Sequence, residues 1–162
     1  MLPEELLQPG ELVILMIKPS GWYILLGSLR SLVIIAVLTL AASSLMQYGL
    51  LSMHRQDVAM LAAGAVMARL FWQFLDWLSR VYVLTDRRII RVMGVVRVEV
   101  FEASLKQIQN TQSYFSLRER VFGLGTIGFA TAGTASYEAY WIMIARPLDV
   151  HHTIVKTLER YR

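Results

Sequence analysis

Between Ser31 and Met53 the chain runs for 23 residues without a charged side chain (SLVIIAVLTLAASSLMQYGLLSM). About 20 apolar residues, rising 1.5 Å each in a helix, cover the roughly 30 Å of a bilayer's hydrocarbon, so this run predicts a transmembrane helix. Trp22 and Tyr23 ahead of it and Tyr48 near its far end stand where interfacial aromatics belong. A second run, Val58–Leu75, carries one charge, Arg69, and closes on Trp72, Asp76, Trp77 and Arg80. Only His54–Asp57 lies between the two runs, which forces an antiparallel hairpin with helices over about 22–53 and 58–78. A cleaved signal peptide with Leu32–Leu40 as its apolar region fits poorly. The preceding residues are acidic (Glu4, Glu5, Glu11), and a second span would be left over.

The composition agrees. Hydrophobic residues make up 56% and charged residues 17%, against about 45–50% and about 25% in an average soluble domain. With no cysteine, disulfide frameworks, thiolate metal sites and cysteine nucleophiles are excluded. Lys18 and Arg30 precede the first span, and Arg80, Arg87, Arg88 and Arg91 follow the second, whereas the short turn has only Arg55 beside Asp57. The positive-inside bias therefore puts both termini in the cytoplasm. A hairpin centred near residue 54 sets Arg30 level with Asp76, an expected ion pair. It sets Arg69 level with Thr39, and with Ser43 and Ser44 a turn further out. Arg69 is then expected to hydrogen-bond to those hydroxyls, to face another subunit, or to meet an anionic ligand in the bilayer.

After Arg80 the texture changes. Val81–Thr85 and Arg88–Val92 read as strands, and Val96, Val98 and Val100 alternate with Arg97 and Glu99 at a period of two. Thr126–Thr131 and Tyr140–Ala145 are further strands around a loop at Ala132–Ser136. Ser104–Ser113 fits helix or strand, and Ser116–Phe122 is a short helix stopped by Gly123. Pro147 opens an amphipathic C-terminal helix with Val150, Ile154, Leu158 and Tyr161 on one side. The fold class expected is α+β: an N-terminal two-helix transmembrane hairpin, then a small bent antiparallel sheet or barrel closed by a helix. The organisation expected is a cytoplasmic segment over 1–20, the hairpin over 21–79 and the β-rich domain over 80–162.

Here the residues become specific. Leu84-Thr85, Arg87-Arg88, Arg91 with Gly94, Leu105–Gln109, Gln112-Ser113 and Gly123-Leu-Gly125 occur in that order. This pattern resembles the bacterial PH-like domain of YdbS-like proteins, the membrane-flanked domain family. The resemblance covers about residues 80–158 and makes Thr85, Gly94, Gln109, Gly123 and Gly125 the structural motif. It implies a bent antiparallel barrel of about seven strands with a C-terminal helix, in a bacterial inner-membrane protein of multi-pass topology. It implies no reaction.

Other motifs dissolve on inspection. Gly123-Leu-Gly-Thr-Ile-Gly128 satisfies G-x-G-x-x-G, but it follows a helix and opens a strand, the reverse of a dinucleotide site. His151-His152 point about 100° apart on a helix and cannot readily chelate one ion. No serine sits in an elbow sequence, and the carboxylates are scattered among arginines. No catalytic residue, metal or cofactor is expected, and the protein is not expected to be an enzyme.

Arg80, Arg87, Arg88, Arg91 and Arg97 are the one charge cluster, expected to lie on anionic headgroups because all follow the second span closely. Residues 1–78 hold four Lys/Arg against five acids, and residues 79–162 hold twelve against seven. The basic balance thus belongs to the domain beside the membrane, which leaves no case for nucleic acid. Three functions compete: a membrane-tethered module presenting strand edges or a groove to a protein partner, a sensor of anionic lipid or envelope stress, and an accessory subunit of a larger membrane complex.

Overall fold

The computed structural model describes residues 7–49, 52–131 and 138–161 of the 162-residue chain. Glu4, Glu5 and the expected loop at 132–136 lie outside them. The chain divides into two compact units, one of residues Tyr23–Leu75 and one joining Met1–Trp22 to Asp76–Arg162.

The first unit is the hairpin. Helix α1 spans Trp22–Gln47 and α2 spans Arg55–Leu78, with mean hydropathies of 2.3 and 1.6 over their most apolar stretches. Both are long and apolar enough to cross a membrane. Little of either helix is buried: α1 buries only Tyr23, Leu26 and Ser28, and α2 only Gln73. Helix α1 stops short of the expected Met53. Gly49 takes a left-handed φ of +69° and its N–H closes on Met46 O at 3.1 Å, a glycine-terminated helix end.

That early stop resets the register. Ser31 sits beside Arg69, and a Cβ on Gly27 would meet Gln73 Nε2 at 2.6 Å, so the hairpin is centred on residue 50 rather than 54. Arg69 is therefore not level with Thr39. Thr39, Ser43 and Ser44 instead donate to their own helix, to Ile35 O, Thr39 O and Leu40 O at 2.7, 2.8 and 3.1 Å.

Among the described residues, the second unit holds seven strands in two antiparallel sheets. The first sheet orders β1 (Val13–Ile17), β2 (Val81–Thr85), β3 (Arg88–Met93) and β4 (Glu99–Ser104) side by side. The second orders β5 (Ile108–Tyr114), β6 (Leu124–Thr131) and β7 (Ala139–Ala145). A 3₁₀ turn at Leu105–Gln107 joins the sheets, so the ambiguous Ser104–Ser113 stretch is part turn and part strand. Helix α3 (Leu117–Val121) lies between β5 and β6, and α4 (Pro147–Tyr161) closes the chain.

Strand β1 is the main departure from expectation. Within the segment expected over 1–20, Val13–Ile17 forms the edge of the first sheet, with Ile17 opposite Tyr82 and Leu15 opposite Leu84. The hairpin is thus inserted between two neighbouring strands. The alternating valines also shift: β4 starts at Glu99, and Val96 and Val98 belong to the turn before it.

The core between the sheets and α4 contains Tyr82, Leu84, Ile89, Phe129, Trp141 and Ile154, all essentially inaccessible. Tyr82 stacks on Trp141 at 5.5 Å between ring centroids, and Phe129 meets Trp141 edge-on at 5.1 Å. The buried Tyr82 hydroxyl accepts the Ile142 N–H at 3.1 Å, and burial pushes its ionisation above the ordinary phenol range. Helix α4 packs on β5, β6 and the 3₁₀ turn through Val150, Ile154 and Leu158, the face its spacing predicted.

Candidate functional site

The five arginines expected to form one basic surface are divided by the fold. The turn between β2 and β3 carries Thr85, Asp86, Arg87 and Arg88. Thr85 is fully buried and organises it: its Oγ1 accepts the Arg88 N–H at 3.0 Å and the Arg87 N–H at 3.2 Å. Glu11, just ahead of β1, reaches into this turn. Its Oε1 lies 2.7 Å from Thr85 Oγ1 and accepts Arg88 Nε at 2.9 Å, while its Oε2 accepts Arg88 Nη2 at 2.8 Å.

Glu102 takes the other arm of the Arg88 guanidinium. The fork of Arg88 is therefore filled by two carboxylates, and only 16% of its side chain is accessible. The hydrogen-bonded guanidinium holds the Glu11 carboxyl down to about 2 from 4.5, and the same partner raises Arg88. Arg87 is the exposed cation of this turn, with Asp86 at 4.0 Å.

Arg80 is likewise occupied. It grips Asp76, one turn back along the chain, with Nε and Nη2 at 3.1–3.2 Å, and both side chains are largely covered. Asp76, expected to pair with Arg30, is thus paired with Arg80, and Arg30 is exposed on α1. Arg91 lies over the Phe101 ring at 5.5 Å, with its Nε buried and unpartnered among the described residues. Arg97 is exposed in the β3–β4 turn. Of the five, Arg87 and Arg97 remain as open cations, at opposite ends of β3. The sequence had no way to show this, because Glu11 is 77 residues from Arg88.

The motif residues have backbone reasons. Gly94 has φ +112°, and a Cβ there would stand 1.9 Å from Arg97 O, so the β3–β4 turn tolerates only glycine. Gly125 is tight for a different reason: a Cβ would meet Pro147 at 2.8 Å and Phe115 at 2.9 Å, where β6 passes under the start of α4. Gly123 ends α3 at φ +65°. Gln109 is exposed at the bulge that offsets Ile108 from Asn110 in the β5–β6 ladder. Ser116 and Glu119 form a reciprocal capping box on α3, and Glu119 also accepts from Thr126 Oγ1 at 2.6 Å.

Beside α3 is a cavity of about 610 Å³ whose lining includes Phe115, Leu124, Pro147, Leu148, Arg120 and Arg146. Sequence reasoning missed it, since its walls come from α3 and the β7–α4 corner. His151 Nε2 lies 3.2 Å from Thr111 Oγ1, and no metal-binding cluster occurs among the described residues. In the hairpin, Arg69 donates from Nε to Ser31 Oγ at 3.0 Å and from Nη2 to Gly27 O at 3.1 Å. An intrahairpin partner was expected, but a different one.

A two-sheet β unit closed by a C-terminal helix, interrupted after its first strand by two helices long and apolar enough to cross a membrane, defines a PH-like domain. The model of the bacterial PH domain family matches residues 22–161, and the chain belongs to that family. The match starts at α1, so it takes in the hairpin and leaves out β1. No curated protein matches the chain. A solved DUF1696 family protein with a pleckstrin-homology domain, from Shewanella loihica PV-4, is similar over 49% of this chain and 70% of its own. The identity there is 14% and the TM-score 0.40.

Proposed function

We propose that the protein is a non-catalytic integral membrane protein of the bacterial inner membrane, presenting its PH-like unit to a protein partner on the cytoplasmic side. The observation that carries this is the insertion of the hairpin between β1 and β2. Ile17 faces Tyr82 across the ladder, so both ends of the hairpin are stitched into one sheet. A spanning hairpin with joined ends keeps N- and C-terminal residues on one side, which agrees with the positive-inside count. The helix faces support the span itself. Val33, Ile34, Val37, Leu38, Leu40, Leu61, Met67 and Phe71 are exposed on α1 and α2, and hydrocarbon is the solvent that accepts them.

The partner surface is the free edge of β1, where Leu12, Val13, Ile14 and Met16 stand exposed. An edge strand with an apolar outer face is a template for strand addition. The accessory-subunit reading gains less from Arg69, whose Nε and Nη2 both donate within its own hairpin. Isolation in mild detergent tests the main reading. A stoichiometric protein partner retained at high salt should be lost from Ile14→Lys and Met16→Lys chains that stay folded. A partner held equally by these variants, or a chain that always isolates alone, contradicts it.

A further inference from the structure

Two tips of the PH-like unit lie at the end where the chain passes into and out of the hairpin. For the β3–β4 turn the strand register fixes this. Val81, following α2, pairs with Val92, and Met93 pairs with Glu99, so residues 94–98 loop out beside the point where the chain returns from α2. Arg80 Nη1 stands 3.8 Å from Met93 Sδ, at the same place. For α3 the link runs through Trp22, the first residue of α1, whose ring centroid is 4.4 Å from that of Phe122. Ser20 N–H donates to Met143 O at 2.8 Å, and Trp77 Nε1 donates to Pro19 O at 2.8 Å, joining these passages to β7 and to each other.

This end exposes side chains that water disfavours. Val96 is 85% accessible, Leu117 83% and Val121 79%, with Val98 and Leu148 also exposed. Around them stand the exposed cations Arg97, Arg118, Arg120 and Arg146, against the exposed acids Glu99 and Asp149. Apolar tips set among cations are the make-up of a surface lying in the headgroup layer of an anionic bilayer. The contact with Trp22 selects the bilayer over a protein as the occupant. Phe122 touches Trp22, an aromatic at the opening of an apolar helix, the position that interfacial aromatics occupy in membrane spans.

We propose that this rim, formed by Val96 and Val98 on the turn and Leu117 and Val121 on α3, inserts into the headgroup layer crossed by the chain's own hairpin. Arg97, Arg118, Arg120 and Arg146 hold anionic phosphates beside it. The proposal rests on the membrane-spanning reading above and adds a second contact with the same bilayer. Arg87 and Arg88, at the other end of the sheet, take no part in it.

Depth-dependent quenching on the full chain tests it, in nanodiscs of phosphatidylcholine and phosphatidylglycerol. Single cysteines carrying an environment-sensitive fluorophore are placed at Val96, Leu117 and Val121, at Arg87 as the far-end control, and at Leu61 within the hairpin. The rim positions should shift to the blue and be quenched by spin-labelled lipid, while Arg87 is quenched by aqueous iodide. Replacing phosphatidylglycerol with phosphatidylcholine, or Arg97, Arg118 and Arg120 with Gln, should reduce the lipid quenching at the rim and leave Leu61 unchanged. If Leu61 is quenched by lipid but the rim behaves like Arg87, the proposal is overturned and the spanning hairpin stands. If Leu61 itself escapes lipid quenching, the spanning reading fails and the proposal fails with it. Rim positions shielded from both quenchers would put a second copy of the chain there, which also overturns it.

Discussion

Glu11 joins the strand ahead of the hairpin to the turn beyond it, and its carboxylate is the most perturbed acid of the described residues. Its pKa is lowered to about 2 from 4.5, first by the Arg88 hydrogen bonds. A carboxyl whose folded pKa is depressed stabilises the fold fully above its ordinary value, and that contribution disappears as pH falls towards the folded value. Stability should therefore decline between about pH 4.5 and 2 through this residue. Glu11→Gln should cost about 2 kcal/mol at neutral pH, the range for a hydrogen bond to a charged group. Thermal unfolding in detergent micelles, followed by near-ultraviolet circular dichroism, should show the gap between variant and parent closing across that pH window. A gap that persists unchanged at pH 2 would mean the carboxylate is not what holds the turn. The sequence showed Thr85, Arg87 and Arg88 as a motif but not this carboxylate. Two short strands and the 53-residue unit between them separate Glu11 from Arg88, and no local pattern records a contact that folding alone creates.

At the scale of elements, local chemistry read well where it is self-contained. The short helix expected over Ser116–Phe122 is α3, stopped by Gly123, and Pro147 opens α4 with Val150 and Ile154 facing the core. It read less well where an element's end depends on one backbone dihedral. Gly49 stops α1 six residues before Met53, and that stop moved the partner of Arg69 from Thr39 to Ser31. Strand β1 was legible in retrospect: Val13–Ile17 is an unbroken apolar run between Gly10 and Pro19, the length of a strand. Its nearness to the long apolar helix masked it.

The corner where β6 meets α4 gives a sharp test. Gly125→Ala forces a methyl against Pro147 and Phe115 with no flexible chain end to give way, and should destabilise by about 1–3 kcal/mol. The same substitution at Gly64, which has open space around it, should cost nothing or add slightly to helix stability. Parallel melts of the two variants decide this; equal behaviour would contradict the packing described at the corner.

For the whole molecule, composition and span length were sufficient to expect the hairpin, and the ordered motifs to expect the family. The way the two units are threaded together was not accessible, since only the β1–β2 ladder reveals that the apolar hairpin interrupts the sheet. On the function proposed above, that threading would let a chain with a basic C-terminal half and an apolar N-terminal half serve at a membrane surface. The β unit cannot be completed without residues from both sides of the span. On the proposed function, the hairpin crosses the bilayer with both ends rooted in one cytoplasmic unit. The chain has no cysteine of its own, so an introduced one is the only thiol a maleimide can find. In intact cells stripped of outer membrane, a membrane-impermeant maleimide should label a cysteine at Gln56 at once. It should reach one at Glu159, or one at Leu12 on the strand before the hairpin, only after lysis. Labelling of Leu12 or Glu159 in intact cells, or failure to label Gln56 there, would contradict the account.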